Sequence, residues 1–362
     1  MTERSRLTVG AKNGALVTDA PTPAVAPESV EASPTGADIG LGRRVFNART
    51  AVSFLVAFGV LALVVSRLNV DVGALWAVIA QSNPILLLAA LVGYYAVFPF
   101  RALRWRVMLA NAGVPPRDLP GRRGLSEIIF LSWFVNCVVP AKLGDVYRAY
   151  LLRKHGLISL SKAGGTILAE RLIDFAVALS LLGASGLAAF QGRLPEDILT
   201  AIEIGLVLVI IAGIGVLLMR YFDHIIQRLV PGRFQKIYGR FQEGAIGSFG
   251  QYPRLLALTV LVWIPEAGRF YLVALAVGVQ LAPDLPTAAA TAVFVALGSA
   301  FLTALPLTPA GLGFAEGAIA VFLGLIGVEP QVALSVALLD RAISYWSLIG
   351  FGLLAYPFAR RK

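Results

Sequence analysis

The chain has 362 residues, 57% of them hydrophobic and 14% charged, with a mean hydropathy of +0.77. Soluble globular proteins carry about 25% charged residues, so this composition excludes a soluble domain and indicates a polytopic membrane protein. The formal net charge of +10 does not indicate nucleic acid: the positive residues cluster beside apolar segments, as orientation signals do, and no basic patch with aromatic stacking partners stands clear of those segments.

Residues 1–42 are rich in Ala, Pro, Thr, Ser and Gly without apolar periodicity. That is the composition of a disordered tail, not of a secretory signal, and the membrane domain is expected over residues 43–358. Arg43, Arg44 and Arg49 precede the apolar run 51–66, which places the N-terminus in the cytoplasm. Residues 70–80, with Val72, Leu75, Trp76 and Ile79, predict a short interfacial helix on the far side. Residues 84–100 return inward and end among Arg101, Arg104, Arg106, Arg117, Arg122 and Arg123, the strongest cytoplasmic mark in the chain. Residues 126–154 have positive flanks at both ends and are broken by Pro140 and Gly144, so they predict a re-entrant helical hairpin entered from inside.

Residues 163–190 predict an outward span containing Glu170, Arg171 and Asp174, and residues 199–219 a return. The basic loop 220–254 carries two amphipathic segments suited to the headgroups of an anionic leaflet, one with Tyr221, Phe222, Ile225, Ile226, Leu229 and Val230 on a face, the other with Phe234, Ile237, Tyr238 and Phe241. Residues 255–279 cross outward, interrupted by Pro265 with Glu266 and Arg269 beside it. Asp284 marks an outer loop free of Lys and Arg, and residues 287–305 and 308–328 predict a second hairpin, entered from outside. The last span, 331–356, holds Asp340 and Arg341 and ends before Arg360, Arg361 and Lys362, so the C-terminus is also expected in the cytoplasm of a plasma-membrane protein.

The two breaks are related. Pro140-Ala-Lys-Leu-Gly144 and Pro309-Ala-Gly-Leu-Gly313 agree at four of five positions at an offset of 169 residues, and Glu170-Arg171 recurs as Asp340-Arg341 at an offset of 170. Together with the charge pattern, residues 45–190 and 198–357 read as an inverted-topology repeat. The expected fold is an all-α polytopic membrane protein of about six full spans plus two re-entrant hairpins, eight spans if the hairpins are counted. In carriers of this design the substrate site lies where the broken helices meet.

Charges inside such spans are costly, about 2.5–3.5 kcal/mol each at the bilayer centre, so each needs a reason. Arg171 and Asp174 are three residues apart and can pair, as can Glu266 and Arg269; Glu170 and Asp174 are four apart and repel unless a cation or proton intervenes. These charges either lock helices together or line a polar cavity for a charged headgroup, and the second reading is preferred because both halves place an arginine on the helix after a break. Lys142 and Arg148 either mark the inner surface or face that cavity. Asn136 either caps a break or contacts ligand. Half-helices beginning near Gly144 and Gly313 would aim positive ends at phosphate oxygens. Glu316, alone in an apolar run, is a candidate proton carrier. Glycines such as Gly183 and Gly186 read as helix-packing positions, and the single cysteine, Cys137, as a buried filler. With one cysteine and two histidines, no metal or cofactor is expected, and neither a Walker A pattern nor a Ser-His-Asp constellation occurs.

Taken together, Arg101-x-x-Arg104-Trp105, Asn136-x-x-x-Pro140-Ala-Lys-Leu-Gly-Asp145-x-x-Arg148, Glu170-Arg171-x-x-Asp174, Pro309-x-Gly-x-Gly-x-x-Glu316 and Asp340-Arg341-x-x-x-Tyr345-Trp346 resemble the lysylphosphatidylglycerol synthase transmembrane-region family of flippase-like membrane proteins, over residues 45–357. Asp145 stands where that family often has Glu, and no aminoacyl-transferase domain follows before Lys362. The resemblance therefore implies translocation of an anionic, aminoacylated or polyprenyl-linked lipid headgroup, not lysyl transfer, with a separately encoded lipid-synthesis enzyme as a partner and a homo-oligomer as a possible assembly. The residues expected at the headgroup are Arg104, Asn136, Lys142, Asp145, Arg148, Glu170, Arg171, Asp174, Glu266, Arg269, Glu316, Asp340, Arg341 and Tyr345. The alternatives are an integral-membrane glycosyl- or aminoacyl-transferase acting on a lipid, and a non-transporting scaffold for lipid synthesis.

Overall fold

The structure, a computed structural model, describes residues 48–68, 70–139, 142–154, 158–192, 194–304 and 308–360; the expected tail 1–42 and Pro140 lie outside them. All regular structure among the described residues is helical. The first half holds α1 (Ala48–Arg67), α2 (Val72–Ala80), α3 (Pro84–Asn111), α4 (Arg122–Val138), α5 (Leu143–Lys154) and α6 (Leu160–Ala189). The second holds α7 (Glu196–Tyr221), α8 (Asp223–Leu229), α9 (Gly232–Gly247), α10 (Tyr252–Ala276), α11 (Leu285–Ala304), α12 (Phe314–Leu325), α13 (Pro330–Arg341) and α14 (Ser347–Arg360). A π turn, Ala342–Trp346, joins the last two into one long element.

Short polar side chains start several of these helices by accepting the free amides of the first turn. Asp71 accepts from Gly73 and Ala74 ahead of α2, and Asn83 accepts from Ile85 and Leu86 ahead of α3, where Pro84 occupies the first helical position. Ser159 caps α6 through the Lys162 amide, and Asp284 caps α11 through the Thr287 amide.

Among the described residues, seven elements are long and apolar enough to cross a membrane: α1, α3, α6, α7, α10, α11 and the joined α13–α14. The sequence predicts six full spans beside two hairpins; α11, placed by that reading in the second hairpin, is a continuous helix of 20 residues and is long enough to cross. A second difference lies at the end of α3. This helix runs 28 residues, about 42 Å at 1.5 Å per residue, so Arg101 and Arg104 belong to its interior. They are 5% and 1% exposed, not on a cytoplasmic surface, because carboxylates on α6 and α10 meet them there.

The centre of the molecule is α3 packed along α10, each with an internal proline, Pro99 and Pro265. Around that pair the contacts are reciprocal. The short helix α2 packs on α13, while its counterpart α9 packs on α6; α4 packs on α14, while α11 packs on α6. In this way α2 and α4 pack on the last long element, α13–α14, while α9 and α11 pack on α6. The α9 contact is backbone to backbone: a Cβ at Gly165 would lie 2.0 Å from the Phe241 carbonyl oxygen, and one at Gly244 would lie 2.1 Å from that of Lys162. The second amphipathic segment thus buries its last turns against the bundle, whereas the first keeps Tyr221, Phe222, Ile225 and Leu229 exposed. On the outer face, α7 buries only Ile202 and exposes Ile204, Val207, Leu208, Ile210, Ile211 and Ile214, an apolar surface suited to acyl chains.

Candidate functional site

Both chain breaks open onto one cavity of about 190 Å³, lined by Val139 and Lys142 from the first and by Thr308 and Ala310 from the second. Helices α3, α4, α6, α10, α11, α12, α13 and the π turn supply the rest of its wall. Eight expected site residues line it: Asn136, Lys142, Arg171, Asp174, Glu266, Arg269, Asp340 and Arg341. Arg104, Asp145, Glu316 and Tyr345 stand behind this wall, each in contact with a lining residue, and Glu170 and Arg148 lie one layer further back, joined to it through Arg104.

The two breaks have related backbones. Lys142, with φ of 52°, and Gly311, with φ of 69°, occupy equivalent repeat positions, and both sit in the left-handed region. Glycine adopts that conformation freely, whereas a side chain there costs about 1–2 kcal/mol. Asn136 Oδ1 accepts from the Gly144 amide at 2.8 Å, and a Cβ at Gly144 would strike the Ser132 carbonyl oxygen, so α5 starts pressed against α4. Asn136 thus caps the break and lines the cavity at once. In the second half Glu316 reaches back to accept from the Gly313 amide at 2.6 Å and receives Arg341 Nε at 3.2 Å. It is 1% exposed and does not line the cavity. Its two hydrogen bonds cap α12 and hold it to α13.

The buried charges pair in two equivalent sets. In the first half Arg171 grips Asp145 with Nη2 at 2.9 Å and Nε at 3.2 Å and lies 3.8 Å from Asp174. Arg104 bridges Glu170, at 2.9 Å, and Asp174, so the cation needed between those two carboxylates comes from α3. Arg148 adds a contact of 2.9 Å to Glu170 and stacks over Trp105 at 4.5 Å. In the second half Arg341 meets Glu316, and Arg269 meets both Asp340 and Glu266. Arg101 closes across the halves onto Glu266 at 2.9 Å and lies over Trp133 at 4.1 Å. Arg104 and Arg269 stand 165 residues apart, as do Arg101 and Glu266. Six arginines face six carboxylates, and the two sets are neutral together.

Tyr345 is fully buried; its hydroxyl donates to the Cys137 carbonyl at 2.9 Å and its ring lies under Arg341, which ties the π turn to the end of α4. Reading the sequence as a string missed Arg101 as a site residue, and with it the aromatic lining from Tyr94, Trp133 and Trp263. The i, i+3 spacing of Arg101 and Arg104, mirrored by Glu266 and Arg269, was the available signal.

A family model described as "Lysylphosphatidylglycerol synthase TM region" matches residues 51–352. A UPF0104 membrane protein of Methanocaldococcus jannaschii is 33% identical over 63% of this chain and 95% of its own length. Another, from Methanothermobacter thermautotrophicus, is 25% identical over 84% of this chain and 95% of its own. Glycosyltransferase AglD of Haloferax volcanii is 28% identical over 78% of this chain but only 50% of its own length.

Proposed function

Since the chain belongs to the lysylphosphatidylglycerol synthase TM-region family, we propose that it moves a lipid headgroup between leaflets through the cavity at its two helix breaks, while the lipid tails stay in the bilayer. The observation that carries this reading is the wall of the cavity: paired arginines and carboxylates from both halves, in a molecule whose outer helices are apolar. Buried ion pairs are weak stabilisers compared with apolar packing, and residues of this kind within spans mark substrate paths. Arg171 and Arg341 line the cavity while their partners Asp145 and Glu316 hold them from behind, so both guanidinium groups are pre-positioned for an incoming group. The halves act as an inverted repeat whose breaks enter from opposite sides, a reading supported by their reciprocal contacts. Both termini lie in the cytoplasm in this arrangement.

The test is transfer of labelled lipid between leaflets of proteoliposomes. Arg171→Gln and Arg341→Gln abolish transfer, and the neutral double variant Arg171→Gln/Asp145→Asn folds yet does not transfer. Wild-type rates in all three contradict the roles assigned to these arginines. A second reading, a membrane glycosyltransferase acting on a lipid, draws on the resemblance to AglD. Product formed by the purified chain from a lipid acceptor and an activated sugar favours it.

A further inference from the structure

With six buried arginines balanced by six carboxylates among the described residues around the cavity, Lys142 is the lining cation left over. It lines the cavity, and no carboxylate oxygen among the described residues lies within 4.0 Å of its ammonium. Its backbone is held at a positive φ that the equivalent position in the second half reaches with glycine. Residues held in this way cluster at active sites and ligand clamps.

The other unspent polar atoms around it are mostly donors. Asn136 uses its carbonyl oxygen on Gly144, and its amide nitrogen has no partner among the described residues. Trp263 Nε1 is buried without a partner, as are Nε of Arg101 and Arg269, whose side chains are more than nine-tenths buried. Ser344 Oγ, in the π turn, is equally unpartnered and can donate. On the other side, Asp174, Glu266 and Asp340 already face arginines, and of their carboxylate oxygens one on Asp340 has no partner among the described residues.

From this we infer that the cavity is a receptor for a phosphate group, centred on Lys142, and that it discriminates against headgroups carrying an ammonium. A phosphate brings acceptors to atoms that have only hydrogens to offer, and its charge offsets the one surplus cation. An ammonium would find one free carboxylate oxygen, on Asp340, and would otherwise have to compete with an arginine while sharing the cavity with Lys142 and Arg171. The inference rests on the proposed lipid-moving function for its lipid form, but the same chemistry fits a free phosphate ester, so the two sources are separated experimentally.

Proteoliposomes containing wild type, Lys142→Gly or Lys142→Arg are compared for leaflet transfer of fluorescent phosphatidylglycerol and fluorescent lysylphosphatidylglycerol, and for binding of soluble glycerol 3-phosphate in detergent. Glycine suits the backbone at position 142, so Lys142→Gly removes the charge without straining the fold, and an unchanged melting temperature checks this. The expected result is phosphatidylglycerol transfer at least tenfold faster than that of its lysyl ester, lost about tenfold or more in Lys142→Gly and partly kept in Lys142→Arg. Equal rates for the two lipids, or a Lys142→Gly variant that matches wild type, overturn the inference while the lipid-moving function stands. Lysine-dependent binding of glycerol 3-phosphate without lipid transfer keeps the phosphate site and overturns the lipid-moving function. Neither binding nor transfer overturns both.

Discussion

Arg104 carries more of the buried charge network than any other single side chain. Its guanidinium bonds Glu170, Asp174 and Thr259, with 1% of the residue exposed. Removing one partner from a buried pair costs about 3–5 kcal/mol because the other charge is stranded. Arg104→Ala should therefore lower the melting temperature of the detergent-solubilised protein more than Arg101→Ala, because it takes a partner from two carboxylates and Thr259 at once, whereas Arg101 bonds Glu266 alone. Equal shifts would show that the bridge between Glu170 and Asp174 is not what holds α3 to α6. At this scale the sequence was legible where partners are close in the chain. The spacings Arg171–Asp174 and Glu266–Arg269 both became ion pairs. It was not legible for Arg101 and Arg104, since a cluster of arginines after an apolar run looks the same whether it faces water or a carboxylate 66 to 165 residues away.

Elements are set by caps and close approaches. Asp284 accepts the Thr287 amide at the start of α11, and this backbone hydrogen bond holds its carboxyl below the usual range. A depressed carboxylate contributes stability above its unfolded value of about 3.9 and loses it as the pH falls through the lower folded value. Asp284→Asn should thus be less stable than wild type at pH 7, with the difference shrinking at pH 3; a gap that persists at pH 3 would assign the effect to something other than the charge. The α6–α9 contact is tested by Gly165→Ala and Gly244→Ala. Each new methyl group meets backbone carbonyl, which cannot swing aside as a side chain can, so each should cost about 1–3 kcal/mol. Gly232→Ala, where nothing lies within 4 Å, is the control. Apolar periodicity fixed where these helices run, but the glycines that let α9 dock on α6 gave no pattern in the string, because a close approach is a property of two segments at once.

For the whole molecule, the account depends on two halves related by inversion whose fractured helices share one cavity. The five-residue resemblance between the breaks was visible in the sequence, and so was the recurrence of an acidic residue followed by arginine. The reciprocal seating of α2 on α13 and α9 on α6 was not, because it concerns which half touches which. Length alone does not tell a re-entrant arm from a span, as the 20 residues of α11 illustrate. The direct measurement replaces Cys137 with alanine and places one cysteine at exposed Lys154, the last residue of α5, or at exposed Glu329, after α12. These are then reacted with a membrane-impermeant maleimide applied from one face at a time. The account predicts labelling of position 154 only from the cytoplasmic face and of position 329 only from the opposite face; labelling of both from the same face would contradict it.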